Sequence, residues 1–447
     1  MPIADPLEDV PWGQRRFHLV APEGTRVEIV ELLDTDVRCL GPSPERTREM
    51  LAPVALEEQL TTVRGNRLRV LVVGAGVAGV TLAQFLRAAG LDPVLVERRD
   101  ADADPGYMLG LMPLVDPPMA HLKVQDAYRE RSVPVRRYAM RSRSGRPLRQ
   151  YSLGSLLQFG DYRGISRGEL LATLADAGGA VTYGATVTGL GQQAEVVRAV
   201  LSDGASEMTA EFDAVIAADG LNSTTRGMVL PSDQVTGYDT GWTGWVGWAE
   251  PDDTTDLYEE CWGPGFFVGS YPVKGRVGVF VGGPRSATAA GAPAFVGRVR
   301  GQLRVGDARL DRALTAIAAD REVHSWSLTD GRATTWTAGR VGLVGDAAAG
   351  FLPTAGVGAA MAMESAAVLG RSLVEAVPGS VADTLRRYEA RQRPRVQAAQ
   401  QNSRVLARLM FRRSLPVAVV RDVAARFVTL DRALAPISRL LSDNPDL

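Results

Sequence analysis

Three glycines, Gly74, Gly76 and Gly79, stand at GxGxxG spacing between the apolar run "RVLVV" and the amphipathic run "VTLAQFLRAAG". That order suits a buried strand, a tight turn and a helix closed by Gly90. The first glycine permits the turn, the second lets a pyrophosphate approach the backbone, and the third lets the helix pack on the strand. The helix N-terminus then faces the phosphate charge. Glu97 ends the next apolar run, "PVLVE", where a carboxylate can accept hydrogen bonds from a ribose. Arg98 and Arg99 follow it, either as partners of a ribose 2′-phosphate or as solvated side chains beyond a strand end. The unit has the chemistry of a dinucleotide site.

Two distant segments add to it. "GDAAAGFLPTAGVGAAMAMES", residues 345–365, is almost all small residues, with one acid and one proline ahead of a helical run. Asp346 can accept hydrogen bonds, and Pro353 stiffens the turn. Gly356 and Gly358 let a bound group come very close to the backbone. The N–H groups opening the helix would stabilise negative charge on such a group by about 0.3–2 kcal/mol. In "ADGLNSTTR", residues 218–226, a strand delivers Asp219 and Gly220 to a turn, with Ser223 and Arg226 just beyond.

These three motifs, in this order from Gly74 to Gly358, resemble the flavoprotein monooxygenases related to para-hydroxybenzoate hydroxylase. The resemblance spans roughly residues 67–405. It implies that Gly74, Gly76 and Gly79 hold the ADP part of FAD, that Asp219 and Gly220 serve FAD and NAD(P)H, and that Asp346 meets the ribityl chain. "ISRGEL" resembles the family's Arg-x-x-Leu segment, which makes Arg167 a cofactor contact. Members often read GDAAHPxxPxxGxG; here Ala349 stands in the histidine position, Gly350 in that of the first proline, and Asn222 where many relatives have arginine. The implied activity is transfer of one oxygen atom from O2, through a flavin C4a-hydroperoxide, to an aromatic or polycyclic small molecule, with NADPH or NADH as electron donor. The flavin carries that chemistry, so no catalytic side chain is named; Pro353 is a flavin-adjacent loop residue.

The implied fold is α/β: a Rossmann-like FAD-binding domain, an antiparallel-sheet substrate domain and C-terminal helices. Residues 1–66 form an extension of unassigned role, with two short strands around Glu23-Gly24 and a helix over "PSPERTREMLAPVALEEQL" that is open to interruption at Pro53. The FAD domain takes 67–236 and 331–378, the substrate domain 237–330, and a helical region 379–447. In the strand "YDTGWTGWVGWAE", Trp242 and Trp248 share one face and Trp245 the other. Substrate-pocket candidates are Trp242, Trp245, Trp262, Phe266, Tyr271 and Thr354, each of the aromatics equally suited to core packing.

Lys and Arg total 50 against 51 Asp and Glu, so no net field recruits nucleic acid or a membrane surface. Cys39 and Cys261 form no CxxC pair, and His18, His121 and His324 are too scattered for a metal cluster, so no metal is expected. The proline-broken, acidic start lacks an apolar signal segment, which places the chain in the cytoplasm. Nothing in the sequence sets an oligomeric state. Three alternatives stay open: a flavin-dependent halogenase, for which Lys123 and Lys274 are the only lysines and the tryptophan-x-tryptophan-x-isoleucine-proline segment is missing; an FAD-dependent reductase or dehydrogenase of an isoprenoid-like substrate; and a flavoprotein redox sensor.

Overall fold

The computed structural model describes three strand backbones within residues 1–50 and, beyond them, residues 52–101, 106–320, 323, 325–354, 356–425, 427 and 430–443. Met1–Met50 form one compact unit and Leu51–Leu447 a second. The first holds the expected strand pair around Glu23-Gly24, Gln14–Val20 against Arg26–Leu32, with Glu8–Val10 as a third antiparallel strand.

The second unit begins earlier than the expected boundary at residue 66. Ala52–Pro53 pairs in parallel with Ala180 and Val181 at a sheet edge, where a proline lacking its N–H is tolerated. The helix Leu56–Val63 then buries Leu56, Leu60 and Val63 against the same sheet. Pro53 therefore precedes this helix instead of interrupting it.

Six strands of this sheet run parallel, in the order Val341–Leu343, Ala214–Ala217, Val70–Val73, Val94–Glu97, Ala180–Tyr183 and Ala52–Pro53. Thr337–Ala338 adds an antiparallel edge. "VLVV" and "AVIA" are buried at every position, as a parallel sheet covered on both faces requires. Val70 and Val72 face the helices Val77–Ala88 and Gly358–Val374, which approach so closely that a Cβ at Gly370 would lie 2.7 Å from Phe85 Cβ. Leu71 and Val73 face the opposite way, against the helix Leu56–Val63 and a three-stranded sheet built from residues 186–212.

The second large sheet has the order Pro147–Ser152, Arg137–Arg141, Leu257–Gly263, Phe266–Val273, Arg276–Pro284, Val235–Ala249 and Ser325–Ala333. All pairs are antiparallel except Arg137–Arg141 with Leu257–Gly263. It thus draws two strands from inside the stretch 67–236 and runs past residue 330. Those two strands are polar and half-exposed, so nothing in their composition separates them from nucleotide-domain hairpins. The helices Ala292–Gln302 and Ala308–Ala319 cover one face of this sheet.

The helix Val381–Met410 runs alongside Gly358–Val374. They are joined by Glu364, whose fully buried carboxylate accepts from Arg395 Nε and Nη2 at 2.7 and 2.9 Å and from Gln392 Nε2 at 2.8 Å. Removing only the cation leaves an unpaired buried charge. Arg395→Met should lower the unfolding free energy by about 3–5 kcal/mol, read as a fall in the denaturant midpoint; an unchanged midpoint would show that the pair does not clamp these helices.

Candidate functional site

The carboxyl ends of three parallel strands meet with almost no side chain between them. Gly74 has φ +104°, and a Cβ there would lie 2.6 Å from Ala218 O and 2.8 Å from Asp219 Cα. A Cβ on Gly79 would lie 1.9 Å from Gly74 O, so the helix can start against the turn only with glycine. Gly76 differs: a Cβ there would meet nothing within 4 Å. The turn thus opens onto free space at the N-terminus of Val77–Ala88, the place a pyrophosphate needs. Glu97 accepts from Ala75 N at 2.9 Å and Arg99 N at 3.0 Å, which sets its carboxylate beside the turn. Arg98 is exposed beyond it.

Asp219 accepts from Thr225 N at 3.0 Å and from the hydroxyl of Ser223, which itself caps the helix Thr224–Val229 by accepting from Arg226 N at 2.9 Å. Gly220, at φ +85°, leaves open space on its Cβ side. Arg226 donates to Ala347 O and to Leu221 O, both at 2.8 Å, and so ties this turn to the Asp346 segment. Gly345, at φ +61°, seats that segment against the helix Val77–Ala88, with Ala78 Cβ 2.7 Å from a hypothetical Cβ. Asp346 then opens a short helix, Asp346–Ala349. Its side chain presents surface to the cleft while protein crowds it from behind, and that desolvation pushes its carboxyl up to about 6.

The loop that follows is held from outside by the long C-terminal helix. Gln400 Nε2 donates to Gly350 O at 2.5 Å, and Ser403 Oγ donates to Leu352 O at 2.9 Å. Thr354 Oγ1 donates to Ser403 O at 2.8 Å. Thr354 is therefore a tether of the loop. Gly350, in the family's proline position, leaves room for Leu221, whose Cδ1 would be 2.6 Å from a Cβ there. Ala349 is buried, Pro353 is exposed, and Gly356 at φ +63° leads to Gly358, the first residue of the helix Gly358–Val374. Arg167 N donates to Tyr107 O at 2.8 Å, and the Tyr107 hydroxyl feels both Arg167 and Asp346. Tyr107 packs edge-on to Trp326, ring centroids 4.5 Å apart.

The expected alternation in Val235–Ala249 is present, with Trp242 and Trp245 in different clusters. Trp245 and Phe266 pack with Cys261 and Phe295 under the covering helices, on the face away from the cofactor motifs. Both are core residues, a correction to their expected role as substrate contacts. Burial pushes the Cys261 thiol up to about 12, so it is inert. Trp242 lies on the opposite face, almost wholly buried, and stacks on Phe411 at 4.7 Å.

Trp262 and Tyr271 share that opposite face with an acid the sequence reading missed. Glu260 accepts from Tyr138 Oη at 2.6 Å, Trp262 Nε1 at 2.9 Å and Tyr271 Oη at 2.9 Å. Burial pushes its carboxyl upward and the three donors oppose this. Tyr258 packs edge-on to both Tyr271 and Tyr162. The Tyr162 hydroxyl in turn lies 3.7 Å from the Cβ position of Gly356, so the aromatic cluster reaches the glycine loop. The available signal was alternation in "LYEECWG", which puts Tyr258, Glu260 and Trp262 on one face. Tyr138 and Tyr162 carried no such signal, since their neighbours are set by sheet order.

Residues 67–403 match the family model described as FAD binding domain. The chain is 31% identical over 350 residues to FAD-dependent urate hydroxylase of Klebsiella pneumoniae, covering 74% of this chain and 87% of that one. It is 29% identical over 365 residues to 3-amino-4-hydroxybenzoate 2-monooxygenase PtmB3 of Streptomyces platensis, covering 77% and 89%. Among solved structures, Klebsiella pneumoniae HpxO complexed with FAD and uric acid aligns at TM-score 0.73 and 26% identity, covering 84% of this chain and 97% of that one.

Two outcomes follow from the geometry. Gly76→Leu should fold with an unchanged Tm in its flavin-free form yet purify without bound FAD, because its side chain enters the phosphate space; retained yellow colour would contradict that placement. For Asp346, a folded-state carboxyl raised above the usual 3.8 means the charged form weakens the flavin-free protein, and stability falls as pH rises from 3.8 through about 6. Flavin-free Asp346→Asn should therefore melt above wild type at pH well over 6, with the gap closing as pH falls through that window. A gap independent of pH would contradict the assignment.

Proposed function

The chain belongs to the FAD-binding-domain family of flavoprotein monooxygenases related to para-hydroxybenzoate hydroxylase, and from that premise we propose that it hydroxylates an electron-rich aromatic or polycyclic small molecule, using O2 and NADPH or NADH. The observation that carries this reading is the continuity between the glycine loop at Gly356 and the aromatic cluster running from Tyr162 to Tyr271, which would wall the substrate chamber. Bound here, FAD would supply the chemistry of O2 activation with two electrons from the nicotinamide, one oxygen atom of O2 going to the ring and the other leaving as water.

The residues of this chain do the rest. Gly74, Gly76 and Gly79 receive the pyrophosphate, Glu97 the adenosine ribose, and Asp346 the ribityl hydroxyls. Asp219 and Gly220 shape the turn between them, fastened by Arg226. Arg98 meets the nucleotide at the cleft mouth, and Arg167 fixes Tyr107 beside Asp346. The N-terminus of Gly358–Val374 faces the flat ring and favours negative charge there. Trp262 and Tyr271 wall the chamber and exclude water, which strengthens every polar contact inside it.

The halogenase alternative is not favoured. Lys123 is exposed in a left-handed turn, and Lys274 Nζ donates to Glu130 O at the surface, so neither offers an amine to the chamber. The test is product analysis under isotopically heavy O2 with the FAD-loaded protein, a nicotinamide donor and a panel of hydroxylated and aminated aromatics. One heavy oxygen atom per product supports the hydroxylase. Oxidised product with no label favours the dehydrogenase, and nicotinamide oxidation that no compound stimulates favours the redox sensor.

A further inference from the structure

Glu260 is enclosed by donors and has no cation. It lies on Leu257–Gly263 between neighbouring strands that each bring it a tyrosine. Trp262 can only donate, so the carboxyl is an acceptor toward it. A carboxylate offers about four lone-pair sites. Tyr138 and Trp262 occupy Oε2, while Oε1 has Tyr271 alone. No arginine or lysine among the described residues pairs with Glu260 or is among the groups that shift it. Nearby, the Tyr258 hydroxyl is buried without a hydrogen-bond partner.

Three of the carboxylate's lone pairs serve the fold, since an apolar side chain here would leave the Tyr138, Trp262 and Tyr271 donors unpaired; the fourth serves no partner in the fold. The remaining Oε1 site and the unpaired Tyr258 hydroxyl are left for something that enters the chamber. An incoming anion would add a second negative charge beside an uncompensated acid, whereas a donor would complete its shell.

We propose that Glu260 is the specificity residue of the chamber: its open Oε1 lone pair accepts an N–H or O–H from a substituent of the substrate ring. The preferred substrate is then an amino- or hydroxy-bearing aromatic that enters donor first, and a ring carboxylate at that end is turned away. This rests on the hydroxylase reading for the identity of the chamber, but its test is a binding preference.

The full chain loaded with FAD is titrated with meta-aminophenol and with benzoate, which carries no ring donor, following the flavin absorbance. Wild type should prefer meta-aminophenol. Glu260→Gln should weaken meta-aminophenol about ten- to hundredfold, the loss of one charge-assisted hydrogen bond, and leave benzoate equal or tighter. Tyr271→Phe, which keeps the acid, should retain the wild-type order of preference. Wild type that prefers benzoate or binds neither probe, or Glu260→Gln that weakens both probes equally, overturns the proposal. A protein that takes up no FAD counts against the hydroxylase reading instead; the same preference is then read from ligand-induced shifts in Tm.

Discussion

The approach of backbone to backbone at the carboxyl ends of three parallel strands is the constraint from which the site is built. Gly74 sits against Ala218 and Asp219, Gly79 against Gly74, and Gly345 against Ala78. Each contact is too short for a Cβ, so side-chain volume is excluded where the cofactor must lie closest. The ladder continues through these ends, with Ala218 N donating to Val73 O at 2.8 Å and Val344 N to Ala217 O at 3.0 Å. One packing decision therefore places the glycine turn, the Asp219 turn and the Asp346 segment in register.

The glycine loop after Asp346 has few side chains of its own to hold it, and the C-terminal helix does that work. Gln400 and Ser403 bind loop carbonyls, Arg404 pairs with the buried Asp330 at 2.6 and 2.7 Å, and Arg395 pairs with Glu364. Arginine suits these places because its planar fork meets a carboxylate with two parallel bonds. The C-terminal helix is thus a splint for the cofactor loop.

The cofactor half of the site was legible because its requirements are local. Glycine is favoured where φ is positive and needed where backbone approaches too closely for a Cβ, and Gly74, Gly79, Gly345 and Gly356 announce this in the sequence itself. The substrate half was legible only as a set of aromatic strands. Which face of Val235–Ala249 meets the cofactor depends on helices some fifty residues further along, so Trp242 and Trp245 looked alike. The tether at Thr354 was not legible because its partner, Ser403, lies in another element. Glu260 draws its donors from three strands, one of them from residues 137–141, which no local pattern assigns to this sheet. The start of the second unit was misplaced for a similar reason: Ala52–Pro53 is a strand only because Ala180 and Val181 lie beside it.

The most direct test of the account is a crystal structure of the FAD-loaded protein, read for the position of the isoalloxazine ring. The account predicts its ring against Gly356 and Gly358, with one edge turned toward the chamber closed by Glu260, Tyr271 and Trp262. A ring lying on the Trp245 side of the sheet, or separated from that chamber by the Tyr107–Trp326 pair, would contradict it.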